Sequence, residues 1–177
     1  MRVIGGEFRS RRLKSVPGNA TRPTPDRLRE TLFDILAPRI EGAVFLDAYA
    51  GTGAVGIEAL SRGAGHSIFL EKNRTALAAI HENLAALGIE ARASVFTGPA
   101  ALVVARHKAD IVFADPPYSL EREYEALFAA LAEQPPELAI VQHFFKFALP
   151  KVAGLEKTRD VRQGDNTLSF FRPARIQ

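Results

Sequence analysis

The stretch Val44-Phe-Leu-Asp47-Ala-Tyr-Ala-Gly51-Thr-Gly53-Ala-Val-Gly56 decides the fold. Its apolar residues up to Asp47 are typical of a buried strand, its glycines of a tight turn, and the residues that follow of an amphipathic helix. The same rhythm continues downstream. Strand-like runs lie near 43–48, 66–71, 91–96, 110–115 and 137–143, with helical stretches near 54–62, 73–87, 99–106 and 121–133. Strands that alternate with helices of this length predict a parallel sheet covered on both faces.

The N-terminal side predicts a hairpin followed by a helix. Residues 2–5 and 11–15 are short, extended-looking pieces around Gly5-Gly6, which favours a small hairpin or ribbon. Thr24-Pro25 is typical of a helix start, with Thr24 as the N-cap and the proline in the first helical position. Apolar residues at helical spacing extend this helix to about residue 37.

The tail completes the expected sheet. Residues 152–162 and 166–172 favour a terminal antiparallel pair after five parallel strands. The expected fold class is therefore α/β, a Rossmann-like sheet of seven mostly parallel strands with helices on both faces. We expect a small basic β extension over residues 1–22 and one larger domain over residues 23–177.

The composition excludes several classes of site. The 177 residues include no cysteine, so disulfides, thiolate metal ligands and cysteine nucleophiles are excluded. The histidines His66, His81, His107 and His143 show no paired spacing that suggests a metal, and no metal is expected. No apolar run approaches the roughly 20 residues that a membrane span needs, and no signal-peptide pattern is present. We expect a cytoplasmic protein with no membrane partner and, by default, a monomer.

The net charge of +3 is unevenly distributed along the chain. Residues 1–22 hold six basic residues against the single acid Glu7, a net charge of +5, which leaves about −2 for residues 23–177. A basic segment on a near-neutral body favours a polyanion partner, although a solvated basic surface has the same composition. The candidate contacts to RNA phosphates are Arg9, Arg11, Arg12 and Lys14.

The glycine turn after the first strand indicates a nucleoside-type ligand, because open parallel sheets bind ligands where the strand order reverses. Gly51, Gly53 and Gly56 also satisfy G-x-G-x-x-G, so a nicotinamide dinucleotide enzyme is an alternative. Asp47 lies four residues before the first glycine, where it can meet an ammonium group but would repel a pyrophosphate. Glu71 ends the second strand and can accept hydrogen bonds from ribose hydroxyls. Together these carboxylates favour S-adenosylmethionine as the ligand.

Asp115-Pro116-Pro117-Tyr118 ends the fourth strand and predicts an amine-methylating site on the same edge of the sheet. An exocyclic amine on a base is a poor nucleophile because its lone pair is delocalised into the ring. The Asp115 carboxylate and the Pro116 carbonyl can accept its hydrogen bonds and orient that lone pair, since the neighbouring prolines stiffen the turn. Tyr118 offers a face for stacking a flat base. Catalysis would then be mostly orientation for in-line transfer.

Several segments identify a family when they are taken together. They are Met1-Arg-Val-Ile-Gly-Gly-Glu-Phe-Arg-Ser-Arg-Arg-Leu13, Thr21-Arg-Pro-Thr24, Arg27-Leu-Arg29-Glu30, Leu60-Ser-Arg-Gly-Ala64, Phe113-Ala-Asp-Pro-Pro-Tyr118 and Gln163-Gly-Asp-Asn-Thr-Leu168. They closely resemble the RsmD family of bacterial 16S ribosomal RNA guanine-N2 methyltransferases, over nearly the whole chain. The resemblance implies a class I methyltransferase fold, S-adenosylmethionine as donor, and a guanine in small-subunit RNA, within a small-subunit particle, as acceptor.

The resemblance also assigns residues to roles. Asp115, Pro116, Pro117 and Tyr118 would form the amine site, and Arg22, Thr24 and Arg27 would face the RNA. The residues implied for donor binding are Asp47, Ala48, Ala50, Gly51, Gly53, Glu71, Lys72, Gly98 and Asp115.

The chain departs from the family pattern at three positions. An acidic residue usually follows the third strand and meets the adenine amine, but this chain has Phe96-Thr-Gly-Pro-Ala100 there. We therefore expect backbone and apolar contacts to hold the adenine. Gln142 stands where a glutamate commonly ends the fifth strand, and Gln163-Gly164 replaces a Tyr-Gly pair.

Three alternatives remain open beside RNA guanine methylation. A DNA adenine-N6 methyltransferase uses the same tetrapeptide as Asp115 to Tyr118, although from the shortness of the chain we expect no separate target-recognition domain. A nicotinamide-dependent dehydrogenase would use the glycine turn, but no downstream acid–base set accompanies it. A non-catalytic RNA-binding module would bind RNA without donor affinity or turnover.

Overall fold

The computed structural model of the chain describes residues 1–16, 24–117 and 120–175. Its strands form one seven-stranded sheet in the order β3-β2-β1-β4-β5-β7-β6, in which β1 to β5 are parallel and β7 is antiparallel to both β5 and β6. The elements in chain order are α1 (Asp26–Leu36), β1 (Val44–Asp47), α2 (Ala54–Ser61), β2 (His66–Leu70), α3 (Arg74–Leu87), β3 (Ala93–Phe96), α4 (Ala100–Val104), β4 (Ile111–Ala114), α5 (Glu121–Glu133), β5 (Leu138–Phe144), β6 (Leu155–Gln163) and β7 (Asn166–Pro173). The expected fold class is confirmed.

Successive residues along the strands face two separate cores, which is why the strand sequences are apolar almost throughout. Phe45 and Phe69 pack with α1, α2 and α3 on one face of the sheet. Leu46 and Leu70 pack with α4 and α5 on the other face. A parallel sheet covered on both faces has this two-sided apolar pattern.

The strand order reverses between β1 and β4, and this places two aspartates at neighbouring strand ends. The chain moves outward from β1 to β2 and β3, then returns to pair β4 with the other side of β1. Asp47 lies opposite Phe113 in this pairing, and the Ala48 N–H donates to the Phe113 carbonyl at 2.9 Å. Asp115 follows two residues after Phe113, so both carboxylates lie at the edge where parallel sheets bind ligands.

The N-terminal residues form the expected hairpin and pack into the main core. Arg2 and Arg12 make an antiparallel bridge, and the Leu13 N–H donates to the Met1 carbonyl at 3.0 Å. The apolar side chains of Val3, Phe8 and Leu13 are buried with those of α1 and α2. The expected boundary between residues 22 and 23 lies outside the described residues.

A buried carboxylate fixes the hairpin to α2. Glu58 is fully buried, and its two oxygens accept the backbone N–H groups of Ile4 and Gly5 at 2.9 and 2.8 Å. The Arg62 side chain donates to the same carboxylate at 2.8 Å. Loss of the hairpin would therefore leave a buried carboxylate short of donors, which is costly.

The start of α1 differs from the expectation. The helix begins at Asp26, Pro25 occupies the N-cap position with φ −55° and ψ 142°, and no side chain caps it. Thr24 is therefore one residue too early to be the N-cap, and its hydroxyl lies 3.4 Å from the Gln142 side-chain oxygen. The extended backbone at the proline explains the shift.

Both ends of α3 carry residues that favour a helix end. The Asn73 side chain accepts the N–H groups of Thr75 and Ala76 at 3.0 Å each, and Gly88 ends the helix with φ 68°. Within the described ranges, no helix is long and apolar enough to cross a membrane.

Candidate active site

A cavity of about 420 Å³ opens at the edge of the sheet where β1, β2 and β4 end. The expected site residues that line it are Asp47, Ala48, Ala50, Gly51, Glu71, Lys72, Gly98, Asp115, Pro116, Pro117 and Thr24. Gly53 does not line the cavity, and Tyr118 lies outside the described residues. The lining residues that we did not anticipate include Met1, Tyr49, Asn73, Phe113 and Glu123.

The turn after β1 depends on its glycines for backbone shape and for close packing. Gly51 and Gly53 have φ values of 55° and 84°, in the left-handed region that favours glycine. Gly53 is the N-cap of α2, so it shapes the turn without lining the cavity. A Cβ atom on Gly56 would lie 2.3 Å from the Phe69 ring, so only glycine lets α2 approach β2 this closely.

Asp47 is a buried acceptor that is only partly used. It is 1% exposed, and its Oδ2 accepts the Gly56 N–H at 3.1 Å. Its Oδ1 atom is buried and accepts no hydrogen bond from the described residues. Burial raises the pKa of Asp47 to about 7, the Gly56 N–H partly opposes this shift, and the nearby Glu71 charge adds to it. A buried, unsatisfied carboxylate oxygen on the cavity wall fits a ligand that carries a positive charge.

Glu71 joins the turn after β1 to the turn after β2. Its Oε2 accepts the Gly51 N–H at 2.8 Å, and its Oε1 accepts the N–H groups of Lys72 and Asn73 at 2.8 and 2.9 Å. A carboxylate has about four acceptor positions. Three are occupied by backbone donors, which fix the side chain and leave about one position for a ligand hydroxyl.

The Asp-Pro-Pro turn follows β4 on the opposite side of β1 from Glu71. Asp115 is half-buried, Pro116 is buried and Pro117 is exposed. The hydroxyl of the buried Tyr124 donates to the Pro116 carbonyl at 3.3 Å, which anchors the turn to α5. Among the described residues, Tyr124 is the one side chain that donates to this carbonyl.

A second pair of polar side chains lies on the cavity wall. The Tyr49 hydroxyl donates to Glu123 Oε1 at 3.2 Å, joining the turn after β1 to the first turn of α5. Burial raises the pKa of Tyr49, and the neighbouring Glu123 carboxylate raises it further, so the hydroxyl remains a donor. The two residues are 74 positions apart, and no local sequence signal joins them.

The residues at which the chain departs from the family pattern lie in three different surroundings. Gly98, after β3, contributes only backbone to the cavity wall, because it has no side chain. Gln142 is buried beside the Thr24 hydroxyl, and the Gln163 side chain donates to the Thr31 hydroxyl at 2.6 Å.

The candidate RNA contacts of the hairpin fall into two groups. Arg11 donates to the Ala86 carbonyl at 3.0 Å, and Lys14 forms an ion pair with Glu82. Arg9 and Arg12 are exposed and have no ion pair among the described residues. Arg27 is likewise exposed, in the first turn of α1. Arg22 lies outside the described residues.

The hairpin runs outward from the cavity, which its first residue Met1 lines. It follows α3, which begins beside the cavity, and Ala86 is twelve residues beyond Arg74, so Arg11 lies about 18 Å along the helix axis. An RNA that reached both regions would have to span this distance.

In the described ranges, no group of three or more histidine, aspartate or glutamate side chains could hold a metal ion.

Comparison with known proteins identifies the family. The model of the family described as Conserved hypothetical protein 95 matches residues 1–172. YlbH of Bacillus subtilis (strain 168), provisionally named an rRNA methyltransferase, is 33% identical over 182 residues, which cover 97% of this chain and 98% of YlbH. Ribosomal RNA small subunit methyltransferase D of Escherichia coli (strain K12) is 42% identical over 120 residues, which cover 67% of this chain and 60% of that protein.

Solved structures agree with the sequence relatives. The structure of yhhF from Escherichia coli, provisionally named a methyltransferase, has a TM-score of 0.83 and 35% identity, and the match covers 98% of this chain and 97% of yhhF. An RNA methyltransferase from Salinibacter ruber, solved in complex with S-adenosyl-L-homocysteine, shares the fold at a TM-score of 0.69 and 17% identity, over 88% of this chain and 97% of that one. This chain belongs to the RsmD family of ribosomal RNA methyltransferases.

Proposed function

We propose that the protein transfers a methyl group from S-adenosylmethionine to the exocyclic N2 amine of a guanine in 16S ribosomal RNA. One observation carries the proposal. Asp47 ends β1 and Asp115 directly follows β4, the two adjacent strands where the strand order reverses, and both aspartates line one cavity. The cavity therefore combines a buried carboxyl group, which a cationic donor would hold in its ionised form, with a carboxylate that can orient an amine.

The donor side of the cavity fits S-adenosylmethionine. Asp47 would meet the ammonium group of the donor with its unpartnered Oδ1, and Glu71 would accept from the ribose. The glycine turn brings the backbone of Ala50 and Gly51 close to the ligand. Bound S-adenosylmethionine would supply an electrophilic methyl group on a positively charged sulfur. The methyltransferase family and the S-adenosyl-L-homocysteine complex of the Salinibacter ruber protein both agree with this donor.

The acceptor side would align the amine rather than activate it chemically. The Asp115 carboxylate accepts one amine hydrogen bond, and the Pro116 carbonyl accepts the other. With both protons held, the nitrogen lone pair points at the methyl group, and most of the rate enhancement comes from orientation. Tyr118 would stack on the base; its place in the site remains a prediction.

We propose that the substrate is a small-subunit particle rather than free RNA, met in the cytoplasm by a monomer. The exposed Arg9, Arg12 and Arg27 would contact phosphates, and Thr24 would meet the RNA at the mouth of the cavity. The hairpin runs from Met1 at the cavity to Arg11 beside Ala86, so a folded substrate would be needed to touch both the far end of the hairpin and the cavity mouth.

Methyl incorporation from labelled S-adenosylmethionine tests the proposal. Unmethylated small ribosomal subunits, the same RNA without protein, and duplex DNA are compared, and each product is digested to nucleosides. We expect N2-methylguanosine, with more label in the particle than in free RNA. Label in DNA as N6-methyladenine, or in RNA at any other atom, would contradict the guanine-N2 assignment.

A further inference from the structure

One carboxylate on the cavity wall has no part in the proposed mechanism. Asp47, Glu71 and Asp115 account for the ammonium, the ribose and the acceptor amine, whereas Glu123 is left over. It is half-buried in the first turn of α5 and belongs to a 13-residue helix. A carboxylate inside a ligand cavity is costly unless something hydrogen-bonds to it, so its partners indicate what it does.

Glu123 is held in place at one oxygen only. The Tyr49 hydroxyl donates to Oε1 at 3.2 Å, while Oε2 has no hydrogen-bond donor in the part of the chain that the structure describes. Tyr49 itself packs against the core formed by α4 and α5. The aromatic ring is thus fixed by packing, and its hydroxyl fixes the direction of the carboxylate.

The position of Tyr49 and Glu123 favours a contact with the adenine of the donor over a contact with a base of the RNA. Glu71 ends β2, so a ligand that runs from Asp47 to Glu71 continues towards β3, where Gly98 and Ala100 line the cavity. Ala100 belongs to the core on the α4 and α5 face, the same face as Tyr49. Thr24 precedes α1, whose buried residues face the opposite core, so the RNA would approach from the other side of the sheet.

The adenine amine and the Glu123 carboxylate are complementary hydrogen-bonding groups. The adenine of the donor presents an N6 amine, which can only donate hydrogen bonds from its two protons. The turn after β3 offers it no acidic side chain, since its residues are Phe96, Thr97, Gly98 and Pro99. The free oxygen of Glu123 is an ionisable acceptor on the wall of the same cavity.

We propose that Glu123, held by Tyr49, accepts a hydrogen bond from the adenine amine of S-adenosylmethionine and makes the protein specific for the adenosyl donor. The inference rests on the proposed donor, and it replaces the expectation that only backbone and apolar contacts hold the adenine. Glu123 is a specificity residue for the donor and takes no part in methyl transfer itself.

Calorimetric binding of two product analogues tests this directly. S-adenosylhomocysteine carries the N6 amine, and S-inosylhomocysteine carries a carbonyl oxygen at the same position. The wild-type protein should prefer the adenosyl compound by about tenfold or more, because a carboxylate accepts from the amine and repels the carbonyl. Glu123→Ala should lower the affinity for the adenosyl compound and leave the inosyl affinity unchanged or higher, so that the preference falls to about one.

Two further variants sharpen the test. Tyr49→Phe should reduce the preference by about threefold, since the carboxylate loses the donor that holds it. Glu121→Gln changes an exposed acid in the same helical turn that does not line the cavity, and it should keep the full preference. The retained inosyl affinity of Glu123→Ala also shows that the variant is folded.

The outcomes separate this inference from the proposed function. If Glu123 only stabilised α5 through its charge near the helix N-terminus, Glu123→Ala would lower the melting temperature but keep the preference for the adenosyl compound. The inference would then be wrong. Equal loss of affinity for both compounds would contradict it as well. If the wild-type protein bound neither compound, the proposed donor itself would be wrong. RNA methylation by a Glu123→Ala protein that still prefers the adenosyl compound would leave the proposed function standing and overturn only the inference.

Discussion

The turns after β1 and β4 follow two adjacent parallel strands, and an aspartate stands at the start of each turn, Asp47 in the first and Asp115 in the second. The two turns are nevertheless built differently. The β1 turn is shaped by glycines with positive φ, and Asp47 is buried to 1% exposure with one unsatisfied oxygen. The β4 turn is shaped by prolines, and Asp115 is half-buried. Glycine lets a backbone approach a ligand closely, whereas proline fixes a carbonyl in one direction. The first turn therefore suits holding a charged donor, and the second suits aligning an acceptor.

The largest effect is expected at the β4 turn. Asp115→Ala removes the main acceptor for the substrate amine, so transfer should fall by about a thousandfold or more, as for other groups that act on the transition state. The affinity for S-adenosylhomocysteine should change by no more than about threefold. Single-turnover methylation of small subunits and calorimetry measure the two quantities. Near-normal transfer by this variant would remove Asp115 from the mechanism.

Asp47→Asn should weaken binding of the methyl donor, and it should also remove a pH dependence of the free energy of unfolding. The pKa of Asp47 rises from 3.8 to about 7 on folding, so the folded protein retains a proton there that the unfolded chain has lost. The free energy of unfolding of the ligand-free protein should therefore decrease as the pH rises through this window, by up to a few kcal/mol. Asp47→Asn should lack this decrease and be the more stable protein at pH 8.

Ligand binding gives the matching test for Asp47. The ammonium group of S-adenosylhomocysteine favours the ionised carboxylate, so binding at pH 7 should release about half a proton to the buffer in the wild-type protein. Calorimetry in buffers of different ionisation enthalpy measures this release. Parallel stability curves for the two proteins, together with equal proton release, would show that Asp47 is already ionised.

Gly56→Ala should show that the β1 turn depends on packing as well as on charge. The added Cβ would meet the Phe69 ring at 2.3 Å and the Ser67 hydroxyl at 2.8 Å, so α2 must shift. Overpacking of this kind costs about 1–3 kcal/mol. Pro117→Ala in the exposed part of the β4 turn should cost at most about 1 kcal/mol, through the entropy of the unfolded chain. Urea denaturation measures the free energy of unfolding of both variants, and an equal loss of stability in the two would contradict the packing argument.

The smallest effects are expected on the hairpin. Arg9→Ala and Arg12→Ala should each weaken binding to small subunits by a few-fold and flatten its salt dependence, because each exposed cation releases about one counterion. Arg11→Ala should have less effect, since its side chain already donates to the Ala86 carbonyl. Filter binding at several salt concentrations distinguishes them, and an effect of Arg11→Ala as large as that of Arg9→Ala would contradict the distinction.

Local patterns in the sequence were sufficient for the fold, the family and the position of the cavity. The glycine turn, the Asp-Pro-Pro sequence and the strand periods all depend on neighbouring residues. The missed features join distant ones. Glu58 reaches the hairpin 53 and 54 residues away, and Tyr49 meets Glu123 across 74. The unsatisfied oxygen of Asp47 depends on its three-dimensional surroundings, and the N-cap assignment to Thr24 failed because Pro25 took that position.

Deletion of the hairpin would not be a clean test of RNA binding. The sequence predicted a basic extension over residues 1–22 beside a larger domain, but the apolar side chains of Val3, Phe8 and Leu13 lie in the main core and Glu58 depends on the hairpin for donors. Point substitutions of exposed arginines leave these contacts intact, which is why the predictions use them.

The most direct test of the central claim measures Asp47→Asn and Asp115→Asn side by side. Both substitutions preserve size, and both proteins are assayed for S-adenosylhomocysteine affinity and for the single-turnover rate on small subunits at saturating donor. The account predicts that Asp47→Asn loses mainly affinity, by about tenfold or more, while Asp115→Asn loses mainly rate at nearly normal affinity. Loss of both quantities to the same extent in both variants would contradict the division of roles between the two turns.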